Sequence, residues 1–588
     1  MPIITINDKQ IEVEKGTNLI DAVKKLSVEI PHYCYHPGLK VDGNCRMCMV
    51  EVKGPRGFMP QIACNTPCVD GLEVKTDTQV IKDMRRNVME FLLHNHPIDC
   101  PICDQAGECR LQDYYMKYGK YDNRSTVEKV HKDKAIDVGP LVVLDQERCV
   151  LCSRCVRFCD DISKTNELVI SNRGVHSKIG VFPGTKIENK YSGNVVDICP
   201  VGALTSKDFR FKMRVWFMKT TKSVCHGCSR GCNILIDHKD EVVQRFKPRE
   251  NKQVNDYWMC DDGRLSYKNI NNPTENGIFP PNVGINDQIS TTSATLATIA
   301  NKNRFLEATE KGQTLEYDEA VNKFKSTIKS FKSRYSPKSV AALASPDSSV
   351  EDNWLLKVYM NDIVGSDKVF GASFRAEGYY DDFLIKADKT PNRKGLEYLG
   401  ISTNNDDLIK ALEAKEIKLL IVMNNDLVGE GGEKIKSLLD GVEVITMATH
   451  ENATTDMANL ALPTSMYSEK FGSIVNFEGH LQKFDKVFDT FQMDDSLAIP
   501  EWEFFANLIK DFSPEREYFD IEDVWTEMRD KVSGFSGLSF YEIGDQGISI
   551  PKKIQKEQEL RDLEIKKANE EAEAKALEAE QKPKEVIS

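Results

Sequence analysis

The sequence has 588 residues, 40% hydrophobic and 29% charged, with 78 Lys and Arg against 91 Asp and Glu for a net charge of -13. That length implies several domains, the composition excludes a collagen-like, wholly disordered or membrane-channel chain, and the charge gives no electrostatic reason to expect nucleic acid as a partner. No apolar stretch approaches the roughly 18 residues needed to span a bilayer, and the N-terminal MPIITINDKQIEVEKG lacks a basic-then-apolar signal pattern, so a cytoplasmic chain is expected.

In chain order, Ile4-Thr5-Ile6, a turn at Asn7-Asp8 and Ile11-Glu12-Val13 predict a β-hairpin, and Asn18 to Leu26 a short helix. From about residue 84, MRRNVMEFLLHNH turns helical and leads into a cysteine-rich loop; further cysteine blocks come at 140–210 and 222–265. Beyond about 270 the pattern alternates strand and helix: SVAALAS then a helix from Glu351, KLLIVMNND then a helix near Lys434, then VEVITM, which implies an α/β domain with a largely parallel sheet. The stretch from Pro551 to Ser588, rich in Glu, Lys and Ala, reads as a charged helix or disorder.

All 17 cysteines lie between Cys34 and Cys260. In a reducing compartment such short spacings point to metal ligands rather than disulfides. Cys34, Cys45, Cys48 and Cys64 offer four thiolates on a Gly-rich loop, which suits a [2Fe-2S] cluster, with structural zinc as the alternative. HPIDCPICDQAGEC supplies Cys100, Cys103 and Cys109 with His94 or His96 as a fourth donor, a set that either an iron–sulfur cluster or zinc would accept. Cys149, Cys152 and Cys155 in CVLCSRC, with the remote Cys199 followed by Pro, form the bacterial ferredoxin pattern for a [4Fe-4S] cubane. Cys225, Cys228, Cys232 and Cys260 fit a further [4Fe-4S] cluster, again with zinc as the alternative. Cys68 and Cys159 are left over as structural thiols. No G-x-G-x-x-G stands between a strand and a helix, and Gly429, Gly431 and Gly432 read as a loop leading into a helix, so no dinucleotide site is expected.

In this order the four sets resemble the large iron–sulfur subunit family of respiratory complex I, the G or 75 kDa type of NADH:quinone oxidoreductase. GNCRMCMVEV, HPIDCPICDQAGECRLQD, CVLCSRCVRFC, SGNVVDICPVGAL and CHGCSRGC carry the resemblance over residues 1–265. It implies a multidomain α+β and α/β fold: a [2Fe-2S] ferredoxin-like β-grasp domain at 1–80, a mixed His/Cys-ligated 4Fe-4S domain at 81–135, a 4Fe-4S ferredoxin-like segment at 136–215 and a molybdopterin-oxidoreductase-type 4Fe-4S domain at 216–270. A molybdopterin-oxidoreductase-like α/β domain at 271–550 is similar through ANLALPTSMYSEKFGSIVNFEGHLQKF, Ala458 to Phe484, and a tail covers 551–588.

By position in the family's H-x3-C-x2-C-x5-C motif the ligand is His96 and not His94, and its second ring nitrogen is expected to donate to a backbone or carboxylate acceptor. The resemblance further implies one [2Fe-2S] and three [4Fe-4S] clusters, and no molybdenum cofactor, FMN or NAD on this chain. As partners it implies a flavin-bearing NADH-oxidising subunit and quinone-side iron–sulfur subunits, with no nucleic acid and no membrane span of its own. The expected location is the cytoplasmic side of the inner membrane. The chain would act as a subunit of the proton-translocating enzyme, without substrate chemistry when isolated. An iron hydrogenase or a formate dehydrogenase, which share the N-terminal module, would need a cysteine or selenocysteine after Cys260, and the sequence has no cysteine there.

Overall fold

The computed structural model describes residues 1–122, 124–270, 304–489 and 498–580, with side chains of the last helix described through 567. The first part of the α/β region (271–303) and the end of the tail (581–588) therefore lie outside the described residues. The chain divides into two compact units: one of residues 1–220, 235–250 and 256–297, the other of 221–234, 251–255 and 298–588.

The first unit opens with strands Ile3–Ile6 and Lys9–Glu12, paired antiparallel across a two-residue turn. Asn7 and Asp8 both adopt positive φ, at 47° and 68°, the geometry whose twist matches that of the hairpin. Strands Glu73–Lys75, Met49–Gly54 and Gly57–Ile62 complete a five-stranded sheet, and helix Leu19–Lys24 buries Leu19, Ile20, Ala22 and Val23 in the same core as Ile4, Ile6, Val50 and Val52. Helix Gln79–Asn95 begins earlier than its apolar pattern suggests, because the Thr78 hydroxyl accepts from the Ile81 amide at 3.3 Å and starts the first turn.

One small ladder ties two cysteine-bearing segments together. Leu204–Ser206 pairs antiparallel with Val142–Leu144, and the Asp145 amide donates to the Ala203 carbonyl at 2.7 Å. It joins the segment just before Cys149 to the segment just after Cys199.

In the second unit, Val340–Leu343, Leu419–Met423, Glu443–Ala448 and Leu460–Pro463 run parallel, with Val369–Phe370 at one edge and the hairpin Ala308–Glu310/Gln313–Leu315 at the other. The central strands are buried along their whole length, as a sheet covered on both faces requires. Val340 and Ala342 enter one core with Trp354 and Phe505, whereas Ala341 and Leu343 enter the other with Leu408 and Leu427, following the two-residue alternation of a strand.

LVGEGGEK differs from the sequence expectation. Its helix begins at Leu427, because Asp426 caps it by accepting from the Gly429 amide at 3.1 Å, and the break comes at Gly432, with φ 62°. The residues from Ile550 to Glu580 form one long helix, the helical of the two readings of that charged stretch.

Candidate metal centres

Cys34, Cys48 and Cys64 are fully buried and Cys45 is half-buried. The loop that carries Cys45 and Cys48 turns through positive φ at Gly43 and Arg46 before entering strand Met49–Gly54, while Cys64 sits in the short turn after strand Gly57–Ile62. The Ala63 amide donates to the Cys48 carbonyl at 3.0 Å and draws the two segments together. The thiols form a connected group: Cys34 hydrogen-bonds Cys45 and Cys64, and Cys64 hydrogen-bonds Cys48. Those bonds push the Cys34 thiol down to about 2 and push Cys45 and Cys64 up. Four sulfurs linked in series from Cys45 through Cys34 and Cys64 to Cys48 fit a binuclear cluster, in which each iron takes two thiolates.

The second set lines a cavity with His96, Cys100, Cys103 and Cys109 in its wall. His96 closes the C-terminus of helix Gln79–Asn95, and Cys109 stands at the start of helix Arg110–Tyr118. His94 is not among the lining residues. Burial pushes the His96 imidazole down to about 4, which keeps it neutral and able to bind metal. Its Nδ1 is buried with no hydrogen-bond partner. The carbonyls at that helix end are already taken, since the Lys129 ammonium donates to Leu93 (2.6 Å), His94 (3.2 Å) and His96 (2.8 Å). A buried donor set with an unpartnered ring nitrogen fits a mixed-ligand cluster.

The third set, Cys149, Cys152, Cys155 and Cys199, lines a small apolar cavity together with Leu144, Ile179 and Val201. Leu151 and Ser153 take positive φ, at 52° and 60°, and wrap the C-x2-C-x2-C run around that space. The ladder between Leu204–Ser206 and Val142–Leu144 delivers Cys199 to it. Burial pushes all four thiols up, Cys149 to about 12 and Cys152 to about 11, so each needs a cationic metal to become a thiolate. The Leu151 amide already points at the Cys149 sulfur, at 3.4 Å. This donor set fits a cubane.

The fourth set is Cys225, Cys228, Cys232 and Cys260. The Cys225 amide donates to the Cys232 carbonyl at 2.8 Å and the Gly227 amide to the Cys225 sulfur at 3.4 Å, which curls CHGCSRGC into a sulfur-lined loop. The Cys260 sulfur accepts from the Gly263 amide at 3.3 Å. Among the described residues, no three His, Cys, Asp or Glu side chains converge closely enough to hold a single metal ion.

Cys68 packs in the core of the first sheet, and Cys159 is fully buried with its thiol pushed up to about 12; neither lines the cavities. Nothing in the residue order singles out Gly202. A side chain there would meet the Cys103 sulfur at 2.3 Å, so the loop after Cys199 approaches the second set only as glycine.

The fold and its sulfur-lined sites define an iron–sulfur protein of several cluster domains. Residues 3–79 match the 2Fe-2S iron-sulfur cluster binding domain, 85–124 the NADH-ubiquinone oxidoreductase-G iron-sulfur binding region and 139–205 the NADH-quinone oxidoreductase subunit 3 ferredoxin-like domain. Residues 218–272 match the molybdopterin oxidoreductase Fe4S4 domain, and 396–511 match molybdopterin oxidoreductase. In that ordered series the chain is similar to the G subunit of NADH-quinone oxidoreductase.

The G subunit of that enzyme from Rickettsia bellii is 38% identical over 362 residues, 61% of this chain and 48% of the relative. The 78 kDa mitochondrial subunit of NADH-ubiquinone oxidoreductase from Neurospora crassa is 44% identical over 267 residues, 45% of this chain and 35% of the relative. A chain of an NAD+-reducing [NiFe]-hydrogenase is 28% identical, covers 36% of this chain and 91% of its own, and overlays with a TM-score of 0.33. The chain spans about half the length of the first of these curated relatives.

Proposed function

We propose that this chain is an electron-transfer subunit of an NADH:quinone oxidoreductase, standing between a flavin-bearing NADH-oxidising subunit and iron–sulfur subunits on the quinone side. It holds a [2Fe-2S] cluster on Cys34, Cys45, Cys48 and Cys64, and [4Fe-4S] clusters on His96, Cys100, Cys103 and Cys109, on Cys149, Cys152, Cys155 and Cys199, and on Cys225, Cys228, Cys232 and Cys260. It carries no molybdenum cofactor, FMN or NAD of its own. Among the described residues no helix is long and apolar enough to cross a membrane, and the chain works at the cytoplasmic face of the inner membrane through its partners.

One observation supports this reading above the others. Cys34, Cys109 and Cys152 lie in a single buried apolar core with Tyr33, Met47, Met89 and Tyr114, and Cys45, Cys149 and Cys199 pack against it. Donors from three separate sets thus share one interior from which water is excluded. Bound clusters supply one-electron carriage; the protein holds them on fixed loops, keeps them dry and places them side by side. Taking a hydride from NADH needs a two-electron acceptor such as flavin, so the isolated chain should neither oxidise NADH nor reduce quinone.

The test is iron and acid-labile sulfide per chain after anaerobic purification, with EPR of the reduced protein. About 14 iron atoms are expected, from one binuclear and three cubane clusters. Stoichiometric zinc in their place, or NADH turnover by the pure chain, overturns the reading.

A further inference from the structure

Two arginines three residues apart, Arg154 and Arg157, stand on one helical turn between the first and third cysteine sets. Arg154 is 3% exposed, and its guanidinium donates to the Ile198 carbonyl at 3.0 Å and to the Tyr35 carbonyl, while its Nε is buried with no partner. The half-buried Arg157 donates from Nη2 to the carbonyls of both Cys34 and Cys152, the latter at 3.2 Å, from Nη1 to the Lys40 carbonyl and from Nε to the Ser153 hydroxyl at 3.0 Å. Every acceptor is neutral. Among the described residues neither arginine forms an ion pair with a carboxylate.

Arginine stays protonated in proteins, and a cation withdrawn from water without a countercharge, as Arg154 is, is costly. Elsewhere in the same unit Arg245 holds Glu108 at 2.8 Å and Asp237 at 2.7 Å, and Arg148 holds Asp99 at 2.7 Å, while Arg85, 2% exposed, donates to the Met49 carbonyl at 2.9 Å and forms no ion pair among the described residues. What sets Arg157 apart is its place: it bonds the carbonyl of one cysteine from each of two thiol sets, and Arg154 bonds the carbonyls of Tyr35 and Ile198, each the chain neighbour of a cysteine of those sets.

We infer that Arg157, seconded by Arg154, is a positioning residue that serves as a shared fixed cation for the two clusters held by Cys34 and Cys152, and that it sets both of their reduction potentials together. This rests on the cluster assignment under the proposed function. A [2Fe-2S] or [4Fe-4S] core with four thiolates is a dianion when oxidised, and one-electron reduction makes it a trianion with no bond broken and no proton taken up. A cation fixed beside both sites favours the reduced state of each, and one guanidinium bonded to both loops fixes their separation. The missing countercharge of the arginines is then the pair of clusters themselves.

The experiment is an EPR-monitored redox titration of the full chain, with iron content, for wild type, Arg157→Gln and Arg157→Lys. Arg157→Gln should retain its iron, and the midpoints of the binuclear signal and of one cubane signal should fall together while the other signals hold. Arg157→Lys, which keeps the charge and loses the fork, should leave both midpoints near wild type. An iron-replete Arg157→Gln with unchanged midpoints, or with only one signal displaced, overturns the inference. Should Arg157→Gln lose iron, the lysine variant decides: wild-type midpoints support the shared cation, and lowered midpoints or lost iron overturn it. A wild-type chain without a binuclear signal would sink the cluster assignment itself, an outcome separate from all of these.

Discussion

Buried polarity is handled in opposite ways at the cysteine sets of the first unit and beside the parallel sheet of the second. In the first, sulfur and imidazole donors face cavities and are left without protein partners of full strength: the His96 Nδ1 has none, and burial pushes up the thiols of the third set. In the second, the loop after strand Val340–Leu343 is filled by the chain's own side chains. The Ser345 hydroxyl donates to the Asn424 carbonyl at 2.8 Å, the Ser348 hydroxyl to Glu501 at 3.1 Å, and the buried Lys470 ammonium to Asp352 at 2.7 Å and to Glu501. Burial works against the Lys470 ammonium, but the two carboxylates outweigh it and hold its pKa above the ordinary value. The neighbouring Arg304 and Glu469 form a second buried pair, at 2.7 Å. Ligands conventionally enter open α/β sheets at the carboxyl ends of the strands, where the order of strands reverses. Here that position holds internal hydrogen bonds and an ion-pair triad. Donors left poised around a space await a group from outside, whereas donors that satisfy one another stiffen a scaffold.

Substitutions in each unit should therefore fail differently. The largest effect is expected from Cys155→Ser, which should remove one cubane, about four iron atoms per chain, and its EPR signal; full iron retention would break the assignment of the third set. His96→Ala should abolish or alter one cluster signal, whereas His94→Ala, outside the cavity, should leave the spectrum unchanged. Equal effects of the two would count against His96. Gly202→Ala, by driving a methyl into the Cys103 sulfur, should perturb the same signal as His96→Ala and spare the binuclear one.

In the second unit, Lys470→Met should leave the iron content intact but cost about 3–5 kcal/mol in stability, because Asp352 and Glu501 lose their buried counterion. Denaturant unfolding measures it, and a loss under about 1 kcal/mol would show that the triad is not a structural staple. The smallest effect is expected at the spare thiols: Cys68→Ser and Cys159→Ser should each keep full iron, and a missing cluster in the Cys159 variant would bring that residue into the third site.

Much of the grouping of the donors was legible because it is local. The C-x2-C-x2-C run and the Asn7-Asp8 turn act within a few residues, where spacing alone sets geometry. The strand-helix alternation after residue 300 was readable for the same reason, since the parallel strands are continuous apolar runs. The LVGEGGEK segment misled because Asp426 caps a helix that its glycines would be expected to forbid, and glycine frequency says nothing about which one turns. Arg154, Arg157 and Gly202 lie inside the motifs that carry the resemblance, but as ordinary residue types nothing there singled them out, and their importance lies in what they approach.

The sequence by itself determined the donors: which sulfurs exist, which lie close enough along the chain to share a loop, and that His94 and His96 were the imidazoles to weigh. Only the tertiary structure decided which of those imidazoles faces the cavity, because the helix ends at Asn95 and turns the next residue inward. It alone brought Cys199 to Cys149, through an antiparallel ladder between segments about sixty residues apart. Tertiary packing likewise laid Arg157 across the carbonyls of Cys34 and Cys152. Short-range stereochemistry can be read from residue order, whereas the meeting of distant loops depends on burial and pairing summed over the whole unit, which no local spacing encodes.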